Sequence, residues 1–198
     1  MVLPQEFYAR DTIEVARDIL GKRLVRILPS GRRIAGRIVE CEAYLGVDDP
    51  AAHTFGGRRT VRNEAMYGDA GFTYVYFVYG MHYCMNVVTR RPGVPEAVLI
   101  RALEPVEGLP DTHFNQPHKW LNGPAKLCAG LEITRDWNAL PVFKQGTKLR
   151  IEDDKSISEA DILHSRRVGV DYAGDAAYWP LRFGIRGHPG VSGTPFED

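Results

Sequence analysis

Arg37-Ile38-Val39-Glu40-Cys41-Glu42-Ala43-Tyr44 has the apolar content of a buried strand, yet it carries two carboxylates. A second stretch, Ala97-Val98-Leu99-Ile100-Arg101-Ala102-Leu103, is more apolar still and is broken by a guanidinium. Alternate residues of a strand share a face, so Glu40 and Glu42 point together while Val39 and Cys41 point the other way. Two carboxylates on one face are not easily both buried, which predicts that one forms a structural pair and the other faces a pocket. The spacing does not rank them. Arg101, with apolar neighbours on both faces, needs an anionic or hydrogen-bonding partner in the interior.

Working outward, Leu24–Leu28 and Ile34–Val39 flank Pro29-Ser30-Gly31-Arg32 and read as a hairpin whose second strand delivers Glu42 near its C-terminal end. Upstream, Asp11-Thr12-Ile13-Glu14 supplies an N-cap with an acid three residues on. Ile13, Ala16, Ile19 and Leu20 then recur at helical spacing up to Gly21, which predicts the first helix. Downstream, Gly46, Pro50, Gly56, Gly57, Gly68 and Gly71 lie among polar residues and predict a long structured loop over 45–71 with one short helical turn. Strands at 72–79, 83–89 and 96–103 complete the sheet, and 105–120 read as irregular. Gly123-Pro124 begins a helix with proline at its first position, an N-terminus suited to an anion or a base edge. Residues 148–151 and 182–186 are late strands. The pattern is a mixed α/β fold with a curved, mostly antiparallel β-sheet core and peripheral helices, expected as one domain over residues 1–198.

Composition narrows the function. With 198 residues, 44% of them hydrophobic, the chain can bury one substantial core. No run is long and apolar enough to cross a bilayer, and Pro4-Gln5-Glu6 stand where a secretory leader needs positive charge, so a cytoplasmic protein without a membrane partner is expected. Cys41, Cys84 and Cys128 sit singly in apolar segments and read as reduced core residues. His53, His82, His113, His118, His164 and His188 lack the spacing of metal ligands, and the chain holds no phosphate-loop or dinucleotide fingerprint; neither a metal nor an organic cofactor is expected. Acidic and basic residues balance at 25 each. The basic runs Arg58-Arg59 with Arg62, Arg90-Arg91 and Arg166-Arg167 read either as solvated surface or as contacts to phosphates.

Between the two interrupted strands lies Phe72-Thr73-Tyr74-Val75-Tyr76-Phe77-Val78-Tyr79-Gly80-Met81-His82-Tyr83-Cys84-Met85-Asn86, richer in aromatic rings than a sheet core requires. Tyr74, Tyr76 and Val78 share one face. Tyr79 ends the strand at a turn, from which a ring can project as a wedge into a base stack. Tyr44 lies on the face of Glu42, so a carboxylate and a ring line one cavity suited to a planar, electron-poor heterocycle. Two functions fit these residues by themselves: a glycosidase or nucleosidase using Glu40 and Glu42 on a small substrate, and a noncatalytic nucleic-acid binder in which the tyrosines stack on bases.

Read together, Arg37 to Tyr44, Ala51-Ala52-His53, Arg62-Asn63, Tyr74-Val75-Tyr76 with Tyr79-Gly80-Met81, Cys84-Met85-Asn86, Leu99 to Pro105 and Gly123 to Cys128 resemble, in that order, the motifs of the alkyladenine (3-methyladenine) DNA glycosylase family. The similarity runs from about Leu3 to Ser192. It implies a monomeric enzyme that approaches duplex DNA from the minor-groove side and hydrolyses the N-glycosidic bond of alkylated or deaminated purines: 3-methyladenine, 7-methylguanine, hypoxanthine and ethenoadenine. By the same resemblance Glu42 activates water and Arg101 supports it, while Tyr79 intercalates where the base has left. Tyr44, His53 and Tyr76 enclose the extruded base, Asn86 selects at the rim, and Arg58 and Arg62 meet the DNA backbone. The product is an abasic site without lyase cleavage. Cys41 departs from the family's usual threonine, and Asn122 from its usual serine.

Overall fold

The computed structural model describes residues 1–108, 110, 115–192 and 196; His113 lies outside the described residues. Helix α1, Gln5–Tyr8, precedes the helix expected to be first, because a single turn is too short to show periodicity and is held instead by the buried Tyr8. Helix α2, Thr12–Asp18, starts where the sequence predicts it, with the Asp11 carboxylate accepting the amides of Ile13 and Glu14.

The predicted hairpin forms from β1, Arg23–Ile27, and β2, Arg33–Tyr44, with Leu24 opposite Gly36. Then follow β3, Thr73–Val78; β4, His82–Val88; β5, Ala97–Glu107; helix α3, Pro124–Gly130; β6, Leu149–Glu152; β7, Ile162–Ser165; and β8, Arg182–Ile185. The main sheet runs β3-β4-β5-β2-β1-β6, while β8 pairs with both β2 and β7. All these pairings are antiparallel, so the mixed α/β fold with a curled antiparallel sheet is the one expected.

Three local expectations are corrected. Strand β5 continues to Glu107 where an irregular segment was expected, because Glu104, Pro105 and Glu107 find partners in Arg37, Gly36 and Ala35 of β2. The loop after β2 holds three 3-10 turns instead of one, at Gly46–Asp48, Phe55–Gly57 and Glu64–Tyr67. Strand β7 was not foreseen; none of its four residues is fully buried, so it lacks the alternation that marks a strand.

The pairing of β2 with β5 slips three times: once between Ala35 and Gly36, where Val106 is left unopposed, and twice beside the carboxylates. Ile38 faces Leu103 and Glu40 faces Ala102, leaving Val39 unopposed; Cys41 then faces Ile100, leaving Arg101 unopposed. One extra residue on each strand restores the register and bends both. These last two slips fall where the carboxylates and the guanidinium lie. Behind them, Cys41 Sγ donates to Ala16 O of α2 at 3.0 Å, and Ile38, Met85, Ile100, Leu103, Leu121 and Leu127 form a core with no exposed surface. Cys41, Cys84 and Cys128 are free and buried. Among the described residues no helix is long and apolar enough to cross a membrane.

Candidate active site

The β2–β5 bulges bring Glu40, Glu42 and Arg101 together. Arg101 Nε donates to Glu40 Oε1 at 2.8 Å, and its Nη1 lies 3.2 Å from Glu42 Oε1, so one guanidinium spans both acids. Glu40 is the more heavily bound: Arg182 Nε donates to Oε1 at 2.8 Å and the Ser192 amide to Oε2 at 2.5 Å. Glu42 accepts the Val168 amide on Oε1 at 2.8 Å and the Tyr44 hydroxyl on Oε2 at 2.9 Å.

Both carboxylates have no exposed surface, which overturns the expectation that the two are not easily both buried. Two guanidiniums and two backbone amides satisfy what the pair alone cannot. Burial by itself would lower the Arg101 guanidinium, but Glu42 and Glu40 outweigh it and hold it above its ordinary value. Burial, and then the Glu42 charge, push the Tyr44 hydroxyl well up, so it stays a donor.

Above this cluster opens a cavity of about 340 Å3, lined by Tyr44, His53, Tyr74, Tyr76, Asn86 and Arg101 among others. That is within the roughly 300–1,000 Å3 of small-molecule sites. Glu42 lies beneath its floor: Arg101, Tyr44 and Val168, which bond it, line the cavity, whereas the carboxylate does not. His53 Nδ1 is 2.8 Å from the Tyr74 hydroxyl, and its ring meets Tyr76 edge-on at 4.7 Å between centres. Burial, helped by Arg62 and Arg58, pushes the His53 imidazole down to about 4. Asn86 Nδ2 is tied to Tyr74 O at 3.0 Å. Tyr74, Tyr76 and Val78 all line the cavity, as their shared face predicts. Helix α3 reaches it through Pro124.

At the mouth, Tyr79 is 90% exposed and takes a left-handed φ of 52° in the β3–β4 turn, which projects its ring beyond the sheet. Arg58 and Arg62 are exposed beside a second depression of about 450 Å3 that shares His53, Tyr74 and Tyr172 with the first. Arg62 donates to Phe77 O at 3.2 Å and lies over the Tyr76 ring at 5.5 Å.

Sequence reasoning missed several members of the site. Val168, Gly169, Val170 and Tyr172 line the cavity from the far end of the chain, and Arg182 and Ser192 complete the cage around Glu40. Arg166-Arg167 gave a signal there, and it read either as solvated surface or as a contact to phosphates.

Residues 6–189 match the sequence pattern of a family described as Methylpurine-DNA glycosylase (MPG). Three curated proteins carrying the name "Putative 3-methyladenine DNA glycosylase" are similar over nearly their whole length. That of Bdellovibrio bacteriovorus is 50% identical over 193 residues, covering 97% of this chain and 99% of its own. Those of Clostridium acetobutylicum and Methanocella arvoryzae are each 48% identical, over 204 and 196 residues, with coverage of 97% and 98% for the first and 96% and 96% for the second.

Proposed function

This chain belongs to the methylpurine-DNA glycosylase family, and from that premise we propose that it is a 3-methyladenine DNA glycosylase acting as a single-domain cytoplasmic monomer on damaged purines in duplex DNA. The observation that carries the reading is the Arg101 guanidinium spanning two buried carboxylates under an aromatic cavity, with an exposed tyrosine at its mouth.

The anomeric carbon is shielded within a duplex, so the damaged nucleotide swings out from the minor-groove side at a cost of a few kcal/mol, least for weakly paired bases. Tyr79 fills the gap, and Arg58 and Arg62 hold the backbone. Tyr44, His53 and Tyr76 enclose the purine, each stacking ring contributing roughly 1–3 kcal/mol, and Asn86 selects at the rim. As the glycosidic bond lengthens, the sugar gains positive character. Glu42 stabilises that charge and takes a proton from the attacking water. Arg101 pairs with the carboxylate and holds it in place. Alkylated purines, 3-methyladenine and 7-methylguanine, already carry charge and leave readily; hypoxanthine and ethenoadenine depend more on hydrogen bonding in the pocket. Water is the nucleophile, so the product is an intact abasic site.

The test is release of free 3-methyladenine from methylated duplex. Glu42→Gln keeps its fold and its affinity for damaged DNA but loses release by at least about 100-fold, the size of a lost general base. Near-normal turnover by that variant rejects the role of Glu42, and strand breakage trapped by borohydride rejects water as nucleophile. The complete burial of Glu42 favours one rival, a binder in which this acid is structural; binding without base release by the unaltered protein would select it.

A further inference from the structure

Of the basic runs in the sequence, Arg166-Arg167 behaves unlike a surface pair: Arg166 is exposed and Arg167 is buried. The Arg167 guanidinium grips Asp49 with two bonds, Nη1 to Oδ2 at 2.5 Å and Nη2 to Oδ1 at 2.8 Å. It also donates to Ala43 O at 3.0 Å and Ala176 O at 3.3 Å, and lies 4.8 Å from the centre of the Tyr44 ring. Asp49 in turn accepts the amides of Leu45 and Ala51, each at 3.0 Å. Neither side chain has exposed surface. This ion pair therefore ties the end of β2, the loop after it, the segment after β7 and the turns of Asp171–Tyr178 into one wall. That wall supplies Tyr44, Ala51, Val168 and Tyr172 to the cavity.

Desolvation offsets most of the attraction within a buried ion pair, so stability alone is a weak reason for one. The neighbouring residue offers a better one. Val168 follows Arg167 directly and donates its amide to Glu42 Oε1 at 2.8 Å, while the tyrosine under the guanidinium donates to Oε2 at 2.9 Å. We propose that Arg167 and Asp49 are positioning residues for base excision, holding the Val168 amide and the Tyr44 hydroxyl on the Glu42 carboxylate without touching DNA. The inference rests on the function proposed above.

Its signature is a loss confined to the chemical step: the Val168 amide and the Tyr44 hydroxyl aim the Glu42 carboxylate, and a shift of the wall behind them spoils that aim while leaving affinity for DNA unchanged.

The experiment follows single-turnover release of 3-methyladenine by Asp49→Asn and Arg167→Lys well below their melting temperatures, alongside affinity for a duplex bearing an abasic-site analogue. Release slows by about 10- to 100-fold, as for a misplaced reacting group, and abasic-duplex affinity is unchanged. In a Glu42→Gln background the same substitutions slow release no further, because they act through that carboxylate. Lower melting temperatures with unchanged release by the folded variants, or a full further loss in the Glu42→Gln background, would overturn the proposal, leaving the pair as a brace for the fold. If both variants fail to fold, Val168→Pro, which removes the amide donor and leaves the Arg167 and Asp49 side chains in the chain, carries the same expectation and the same overturning result. Absence of base release by the unaltered protein would instead bring down the glycosylase reading, and this inference with it.

Discussion

His53 illustrates how a single side chain can be fixed in one charge state. Burial first, then Arg62 and Arg58, push its imidazole from the usual 6.5 down to about 4. Between those values the unfolded chain holds a proton that folded His53 does not. Stability contributed by the neutral ring is therefore complete above pH 6.5 and is lost as the pH falls toward 4. His53→Gln should flatten the dependence of melting temperature on pH in that window; an unchanged slope would show that another group sets it. A neutral His53 also cannot impose an inflection on catalysis near neutrality. Glu40 is the second residue with a distinct expectation. Glu40→Gln removes one of the two acids that share Arg101 and leaves Arg101 and Arg182 in place. Two buried guanidiniums then lose a charged partner, so the melting temperature should drop, by the equivalent of about 3–5 kcal/mol. An unchanged melting temperature would contradict this charge balance.

Among the elements, the β3–β4 hairpin separates stability from function. Tyr79 contributes little to the fold because its ring is exposed, and its left-handed backbone costs a side-chain-bearing residue about 1–2 kcal/mol that glycine avoids. Tyr79→Gly should thus melt no lower than the parent yet release far less base; equal release would remove the wedge from the mechanism. The β2–β5 pair behaves oppositely. A Cβ on Gly36 would come within 2.7 Å of Leu103 Cβ, so Gly36→Ala should lose about 1–3 kcal/mol in urea unfolding, as overpacking does. Elements with local signals were legible in the sequence: the hairpin around Pro29-Ser30-Gly31-Arg32, the Asp11 cap, and the tyrosine face of β3. The bulges at Val39 and Arg101 were not, since they exist only in the register between strands far apart in sequence. For the same reason Glu40 and Glu42 could not be told apart: their distinguishing partners, Arg182, Ser192 and Val168, lie more than a hundred positions away. Arg167 looked like surface because nothing in its local sequence announces Asp49.

On the scale of the whole molecule, 25 basic and 25 acidic residues cancel, so any attraction to DNA is a matter of placement and not of net charge. Arg58 and Arg62 are exposed near the cavity mouth, whereas Arg59 is engaged with Glu64 and Arg90 with Asp11. Binding to duplex should weaken with salt, and replacing Arg58 and Arg62 together with alanine should reduce the slope of log affinity against log salt by about two, roughly one per lost phosphate contact. An unchanged slope would move the backbone contacts elsewhere.

Strand β3 ends the sheet, and its outer side is already occupied. The Thr73 amide donates to Leu140 O and accepts Ala139 N on its carbonyl, both at 2.9 Å; the Val75 amide donates to Asn138 Oδ1 at 2.9 Å; and Phe77 O takes Arg62. An open margin of this kind invites a strand from another copy, which is how soluble chains begin to form fibres. Asn138→Ala should therefore free one such amide and make the protein self-associate as it is concentrated, visible as a rise in light scattering. Because Arg62 guards the tip of the same margin, under the proposed role of that arginine its turn to a phosphate would uncover the tip, and nucleic acid lying across the hairpin would then take over as the shield.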